Sequence, residues 1–348
     1  MKNIRKTIYS AVLMAVAAGA SLVTSCDKVS PTGLLVTNSS TDERVEMSID
    51  YFKNHERELG DMFDLSQVEE YTFLVGSDSH MTTDTTRMAE MFRIAMANKD
   101  ILCAHLGDIA DTKTEYYIAL EDLIQKYSEK YFDYLKQFCQ YDAEKEEFYY
   151  IDEQTGKREI LDPKTVNFPF YVTVGNHDLT RNGWAMFSNI FHATFFQVYV
   201  YVNDKEFDRL IFLDSANGTL GTSQLSEIEN ELFLDGKEES ANMKTRNIFV
   251  FTHTNIFRPR ENQVSSTYPR EEMYFMLNKF QEWNAKIVFL GHVHWWEERE
   301  FGGIKYLTLD AMSERNNPDP GDYLVRVHVK KNGDVSYERV HMSTTGKK

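Results

Sequence analysis

Seven side chains in five short polar clusters are of the types that hold first-row metal ions. They are Asp78 and His80 in Gly76-Ser77-Asp78-Ser79-His80, Asp108 after Gly107, Asn176 in Gly175-Asn176-His177-Asp178, His253 in Thr252-His253-Thr254, and His292 and His294 in Gly291-His292-Val293-His294. Neutral imidazole nitrogen and carboxylate oxygen suit Zn, Mn and Fe. A catalytic ion that keeps an open position usually takes about three protein ligands, so this set is too large for one. Two ions sharing a carboxylate would use it fully, and metal pairs roughly 3.5–4 Å apart recur in phosphoester hydrolysis. His292 and His294 sit two apart, and in an extended strand such side chains share a face. A packed core gains nothing from two polar rings there.

Each cluster follows a short apolar run: "YTFLV", "ILCAHL", "FPFYVTV", "NIFVF" and "KIVFL". Continuous apolar runs rich in β-branched and aromatic residues suit strands buried on both faces. Between them, Thr86 to Asn98 and Arg270 to Trp283 carry apolar residues at helical spacing,. Strand–helix alternation predicts an α/β domain, in which strand ends gather at one crevice. The five clusters would then meet in space. The 63 residues between Asp111 and Gly175 exceed a simple crossover. They include a predicted amphipathic helix with Tyr116, Leu120, Leu123, Tyr127 and Leu135 on its apolar stripe, then "DEQTGKRE", which reads as a hairpin turn.

In chain order the clusters read Asp-x-His, Gly-Asp-x-x-Asp, Gly-Asn-His-Asp, a lone His, and Gly-His-x-His. In this order, over residues 78 to 294, the chain resembles the calcineurin-like metallophosphoesterases. The resemblance implies a four-layer α/β/β/α sandwich with a helical insertion at about residues 112–167, between the second and third motifs. It implies that Asp78, His80 and His294 hold one metal, that Asn176, His253 and His292 hold a second, and that Asp108 bridges them. The ions would be two divalent or trivalent metals: Mn, Fe, Zn or a mixture. The implied reaction is hydrolysis of a phosphate mono- or diester by hydroxide on the metal pair, with His177 as general acid. Asp178 would orient His177, and Asp111 would support the ligands without binding metal.

The chain departs from the family pattern where a proline usually stands two positions after the lone His; Asn255 is there instead. Arg258 and Arg260 in that loop, and Arg181 after the Gly175 cluster, are candidates to bind substrate phosphate, because guanidinium suits bidentate anion recognition. His105, in the strand before Asp108, reads as a core histidine. The rival reading, a surface lipoprotein that uses the fold as a non-catalytic scaffold, is opposed by the intact ligand set and by His177.

Hydrophobic content of 42% supplies a full core, and the formal net charge of −16 excludes non-specific nucleic-acid binding through a basic face,. The N-terminus reads as an export signal: basic "MKNIRK", then apolar "TIYSAVLMAVAAGASLV",. The following "VTSC" resembles a bacterial lipobox, which implies cleavage before Cys26 and its acylation. Loss of residues 1–25, with Lys2, Arg5 and Lys6 and no acids, takes the charge from −16 to −19. Residues 26–60 then read as a lipidated Cys and tether, and 61–348 as a single domain. The expected product is an exported lipoprotein, anchored in the membrane on the periplasmic or cell-surface side. Cys103 and Cys139 read as small hydrophobes rather than a disulfide.

Overall fold

The apolar runs that precede the polar clusters all fold as strands. The computed structural model describes residues 39–52, 58–59, 65, 68–110, 113–151, 156–203, 205–230, 244–257, 268–313 and 323–343. Helix α1 (Thr41–Phe52) and the short β1 (Glu58–Leu59) lead into β2 (Glu70–Gly76), α2 (Thr86–Asn98), β3 (Cys103–His105) and the long α3 (Thr114–Leu135). Strands β4 (Gln140–Asp142), β5 (Glu147–Ile151) and β6 (Arg158–Ile160) precede β7 (Phe170–Val172), α4 (Gly183–Phe191), β8 (Phe196–Tyr201) and β9 (Glu206–Leu213). Then come α5 (Gly221–Glu229), β10 (Lys244–Thr252), α6 (Arg270–Glu282), β11 (Ile287–Leu290), β12 (Glu297–Phe301), β13 (Ile304–Thr308), β14 (Tyr323–Lys330) and β15 (Val335–His341).

Two large sheets divide the clusters between them. The larger runs β1-β8-β9-β10-β11-β13-β12, and the smaller runs β15-β14-β2-β3-β7. Strands β9, β10, β11 and β13 are mutually parallel, as are β2, β3 and β7. Phe73, Val75 and Ala104 of the smaller sheet share a core with Phe212, Phe249, Phe251 and Phe289 of the larger. The opposite face of the smaller sheet (Leu74, Cys103, Phe170) packs with Met91, Tyr117 and Phe187 from α2, α3 and α4. The opposite face of the larger sheet (Ile211, Val250, Val288) packs with Val45, Ile228 and Phe280 from α1, α5 and α6. Apolar residues on both strand faces explain why the runs show no polar alternation.

Register is fixed by an aromatic ladder. Phe196, Phe212, Phe251 and Phe289 stack in turn across β8, β9, β10 and β11, with centroids 4.5, 4.5 and 5.0 Å apart. A one-residue slip of any strand would move its ring to the other face, so the ladder keeps the ends of β10 and β11 level. At the outer flank of the larger sheet, β12 reads Glu-Glu-Arg-Glu-Phe and pairs antiparallel with β13.

The expected tether through residue 60 is corrected at its second half, where Thr41–Phe52 is a helix docked on the domain. Its start is a capping box: the Glu43 N–H donates to Ser40 Oγ (3.2 Å), and the Ser40 N–H donates to Glu43 Oε2 (2.8 Å),. Arg44 is fully buried; its Nε and Nη2 donate to Asp214 Oδ2 (2.7 Å) and Oδ1 (2.9 Å), and Nη2 also reaches Asn217 Oδ1 (2.7 Å). Of the expected stripe of α3, Leu120, Leu123, Tyr127 and Leu135 are buried, while Tyr117 is fully buried and Tyr116 only half-buried against the same core. The "DEQTGKRE" segment follows β5 and runs into β6, which holds its Arg158 and Glu159 and pairs antiparallel with β5; residues 152–155 are outside the described set. Cys103 is buried, Cys139 half-buried, and both are free thiols. Among the described residues no helix is long and apolar enough to cross a membrane.

Replacing Arg44 with Met would strand Asp214 as an unpaired buried charge. It should cost about 3–5 kcal/mol, read as a lower urea midpoint. An unchanged midpoint would mean that α1 contributes nothing to the fold.

Candidate metal centre

The polar clusters leave the parallel strand ends on an unusual backbone. Asp78 (φ +49°), His80 (+40°), Asp108 (+51°), His292 (+72°) and His294 (+61°) are all left-handed. Such conformations are uncommon outside glycine and gather where the surroundings force them. Here the forcing comes from main-chain bonds. Asp78 N–H donates to Gly107 O (3.1 Å), His80 N–H to Asp108 O (2.9 Å) and Gly291 N–H to His253 O (2.9 Å). His292 N–H reaches across to Asp78 Oδ2 in the other sheet (3.0 Å).

All seven side chains singled out in the sequence come together. Asp78 Oδ1 is 3.2 Å from His294 Nε2, which is 3.4 Å from His80 Nε2, itself 3.8 Å from Asp108 Oδ2. On the other side Asp108 Oδ2 is 3.4 Å from His253 Nε2, which lies 3.1 Å from Asn176 Oδ1 and 3.2 Å from His292 Nδ1. The ligand-type atoms of Asp78, His80, Asp108 and His294 lie within 4.8 Å of one another, and so do those of Asp108, His253 and His292. Asp108 belongs to both groups.

The donor set fits a cation. His253 Nδ1 is 2.7 Å from Leu106 O and donates to it, so a neutral ring turns the lone pair of Nε2 inward,. Asp78 Oδ1 and His292 Nε2 are buried yet make no hydrogen bond, and buried polar atoms are seldom left so. This Asp/His cluster is compatible with divalent metal binding.

Electrostatics agree. Burial opposes ionisation of Asp78, but the His294 ring and the charge of His253 outweigh it and hold the carboxyl below its usual range. Burial likewise opposes Asp108, and His253 and His80 prevail. For His253 burial disfavours the proton, but Asp108 and Asp78 raise its pKa to about 9. Burial, with the charge on His253, lowers His292 to about 4. Two buried carboxylates thus draw positive charge into the pocket, and in the protein alone a proton on His253 provides it.

Close backbone approach brings the β3 and β7 loops together. A Cβ on Gly175 would lie 2.1 Å from Asp108 N and 2.3 Å from Asp108 Oδ1. Gly107, at φ +91°, has no room for one either, with Gly175 N 2.6 Å away. His177 is exposed at the rim; its N–H donates to Asp108 Oδ1 (2.7 Å), and its ring meets that of His80 edge-on at 4.8 Å.

The expected role of Asp178 is corrected. Its buried carboxylate accepts from the N–H groups of Gly175 (2.9 Å), Ile109 (3.0 Å) and Ala110 (3.4 Å) and from Tyr117 Oη (3.1 Å), and does not bond the His177 ring. In the 3₁₀ turn His177–Leu179, His177 is exposed and Asp178 buried, so the two side chains part company. Burial and the charge of Asp108 raise Asp178 to about 7. Arg181 follows, exposed and at φ +54°. Asp111, Arg258 and Arg260 lie outside the described residues. His105 is buried, accepts the Gly107 N–H (3.3 Å), and is pushed down to about 3 by burial, so it is a neutral core residue.

A family model described as calcineurin-like phosphoesterase matches residues 71–296, from β2 to the residue before β12. The chain belongs to the calcineurin-like phosphoesterase family. The chain is similar to a dimetal phosphatase from Danio rerio, at 10% identity over 78% of this chain and 99% of that one, with a TM-score of 0.44. It is similar to GAP50, the anchor in the inner membrane complex of Plasmodium, at 13% identity over 80% and 90% of the two chains and a TM-score of 0.46. A predicted phosphoesterase from Streptococcus pneumoniae matches at 12% identity over 78% and 98%, with a TM-score of 0.30. Among curated proteins none matches this sequence.

Two supports of the ligand cluster escaped the sequence reading. Ser215 Oγ accepts the N–H groups of His253 (3.1 Å) and Thr254 (2.9 Å), and Ser215 O accepts from Thr254 Oγ1 (2.6 Å). These bonds hold the loop that lacks the usual proline. The signal was present in "LIFLDSAN", another apolar run ending in a polar cluster. Tyr117, the other, differs from its neighbour Tyr116 by one helical position, which periodicity alone does not resolve.

Gly175→Ala should displace Asp108, cost about 1–3 kcal/mol and weaken metal binding. Thermal unfolding beside metal titration checks it, and undiminished affinity would contradict the described approach of the two loops.

Proposed function

We propose that the protein is a dinuclear metal-dependent hydrolase of phosphate mono- or diesters. One observation carries this reading: two ligand groups share Asp108, in a chain of the calcineurin-like phosphoesterase family. Asp78, His80 and His294 would hold one ion, and Asn176, His253 and His292 the other, with Asp108 between them. The N/O donor set accepts Mn, Fe or Zn. When bound, the ions would supply positive charge for the phosphoryl oxygens and acidify a water.

The chain's own groups do the rest. His177 is exposed, tied to Asp108 through its N–H and set edge-on to His80, and we assign it to protonate the leaving oxygen,. Of the three arginine candidates for substrate phosphate, Arg181 is the described one, and it is exposed. The full ligand set and His177 argue against a scaffold without catalysis. We assign the substrate as a small phosphoester, since an acidic chain of net charge −16 disfavours polyanions,.

The purified protein should contain Mn, Fe or Zn and hydrolyse aryl phosphate mono- or diesters. His177→Asn should retain its metals while kcat falls about 10²–10⁴-fold. Full activity in that variant would remove His177 from the mechanism, and metal-bound but inactive parent protein would favour the scaffold.

The same proposal takes the protein to be exported and anchored through acylated Cys26. Its support is the basic segment, apolar segment and Cys26 in succession,. Cys26→Ala should move the protein from the membrane fraction to the soluble one; equal partitioning of both forms would exclude the anchor.

A further inference from the structure

Asp178 joins three segments of the chain. Its Oδ1 accepts from Ile109 and Ala110, on the loop that carries Asp108, and its Oδ2 accepts from Gly175, on the loop that carries Asn176. The fourth donor comes from elsewhere: the hydroxyl of Tyr117 on the first turn of α3, 3.1 Å from Oδ1. Tyr117 is fully buried, and so is Asp178. Among the described residues no lysine or arginine pairs with this carboxylate. A buried phenol needs a partner for its hydroxyl, and a buried carboxylate needs donors for both oxygens. Each meets the other's requirement.

We infer that Tyr117 is a positioning residue of the metal centre: it locks Asp178, and through Asp178 it sets the spacing between Asp108 and Asn176. The segment between the second and third clusters is then a working part of the site, through the first turn of its long helix. Of the four donors to Asp178, the phenol alone belongs to a side chain, so it can be deleted without altering the backbone of either loop. The inference rests on the proposed metal centre.

Tyr127 provides an internal control. It lies on the same helix, is also buried, and donates its hydroxyl to Ala89 O (2.8 Å), well away from Asp178. Tyr117→Phe and Tyr127→Phe each delete one buried hydroxyl, and both should lower the Tm. Calorimetric titration of the metal-free full chain with MnCl₂ should show about 10- to 100-fold weaker binding for Tyr117→Phe and parental binding for Tyr127→Phe. In an Asp178→Asn background, Tyr117→Phe should weaken binding no further. Parental affinity in Tyr117→Phe, or equal losses in both phenylalanine variants, would overturn the inference and leave the metal centre standing. No binding of Mn²⁺, Fe²⁺ or Zn²⁺ by the parent protein would overturn both.

Discussion

Asp78 and Asp108 are buried carboxylates, and among the described residues no lysine or arginine pairs with either; their neighbours are histidines. Charge in a low-dielectric interior must be neutralised or compensated. The pocket can meet that demand with protons on imidazole or with cations between the ligands. Everything around it serves this requirement: parallel strands that deliver the ligands, glycines that let the loops approach, and the Leu106 carbonyl that orients the His253 ring.

The two sheets make the arrangement possible because each contributes one side. Strands β2, β3 and β7 bring Asp78, His80, Asp108 and Asn176, while β10 and β11 bring His253, His292 and His294. Bonds that cross between the sheets, His292 N–H to Asp78 and His253 Nδ1 to Leu106 O, mean that neither half forms the site alone. The left-handed ligand residues cost of order 1–3 kcal/mol each. That strain is sustained because main-chain bonds and the inter-sheet core over-determine the turns.

Much of this was legible in the sequence, for a physical reason. An apolar run that ends abruptly in Gly, Asp, His or Asn marks both a strand and what it presents, so all five ligand-bearing strands and the convergence of seven side chains could be read directly. What escaped was what depends on partners distant in sequence. The helix at Thr41–Phe52 hid in a polar stretch because its anchor, Arg44, is charged and its partner Asp214 lies 170 residues away; only Ser40 and Glu43 announced it. Asp178 looked like a companion of His177 because they are adjacent, yet a 3₁₀ turn separates their side chains. Ser215 closes an apolar run of the same kind as the ligand-bearing ones, whereas Tyr117 acts through a contact that no local pattern encodes.

The outer flank of the larger sheet has its own consequence. A sheet margin with free amide and carbonyl groups is a template on which another molecule can crystallise into a ribbon about 4.8 Å away. Here four of the five side chains along β12 are ionised, three of them acidic. Two such margins brought together would set glutamates against glutamates, so this edge of the larger sheet resists strand-to-strand polymerisation,.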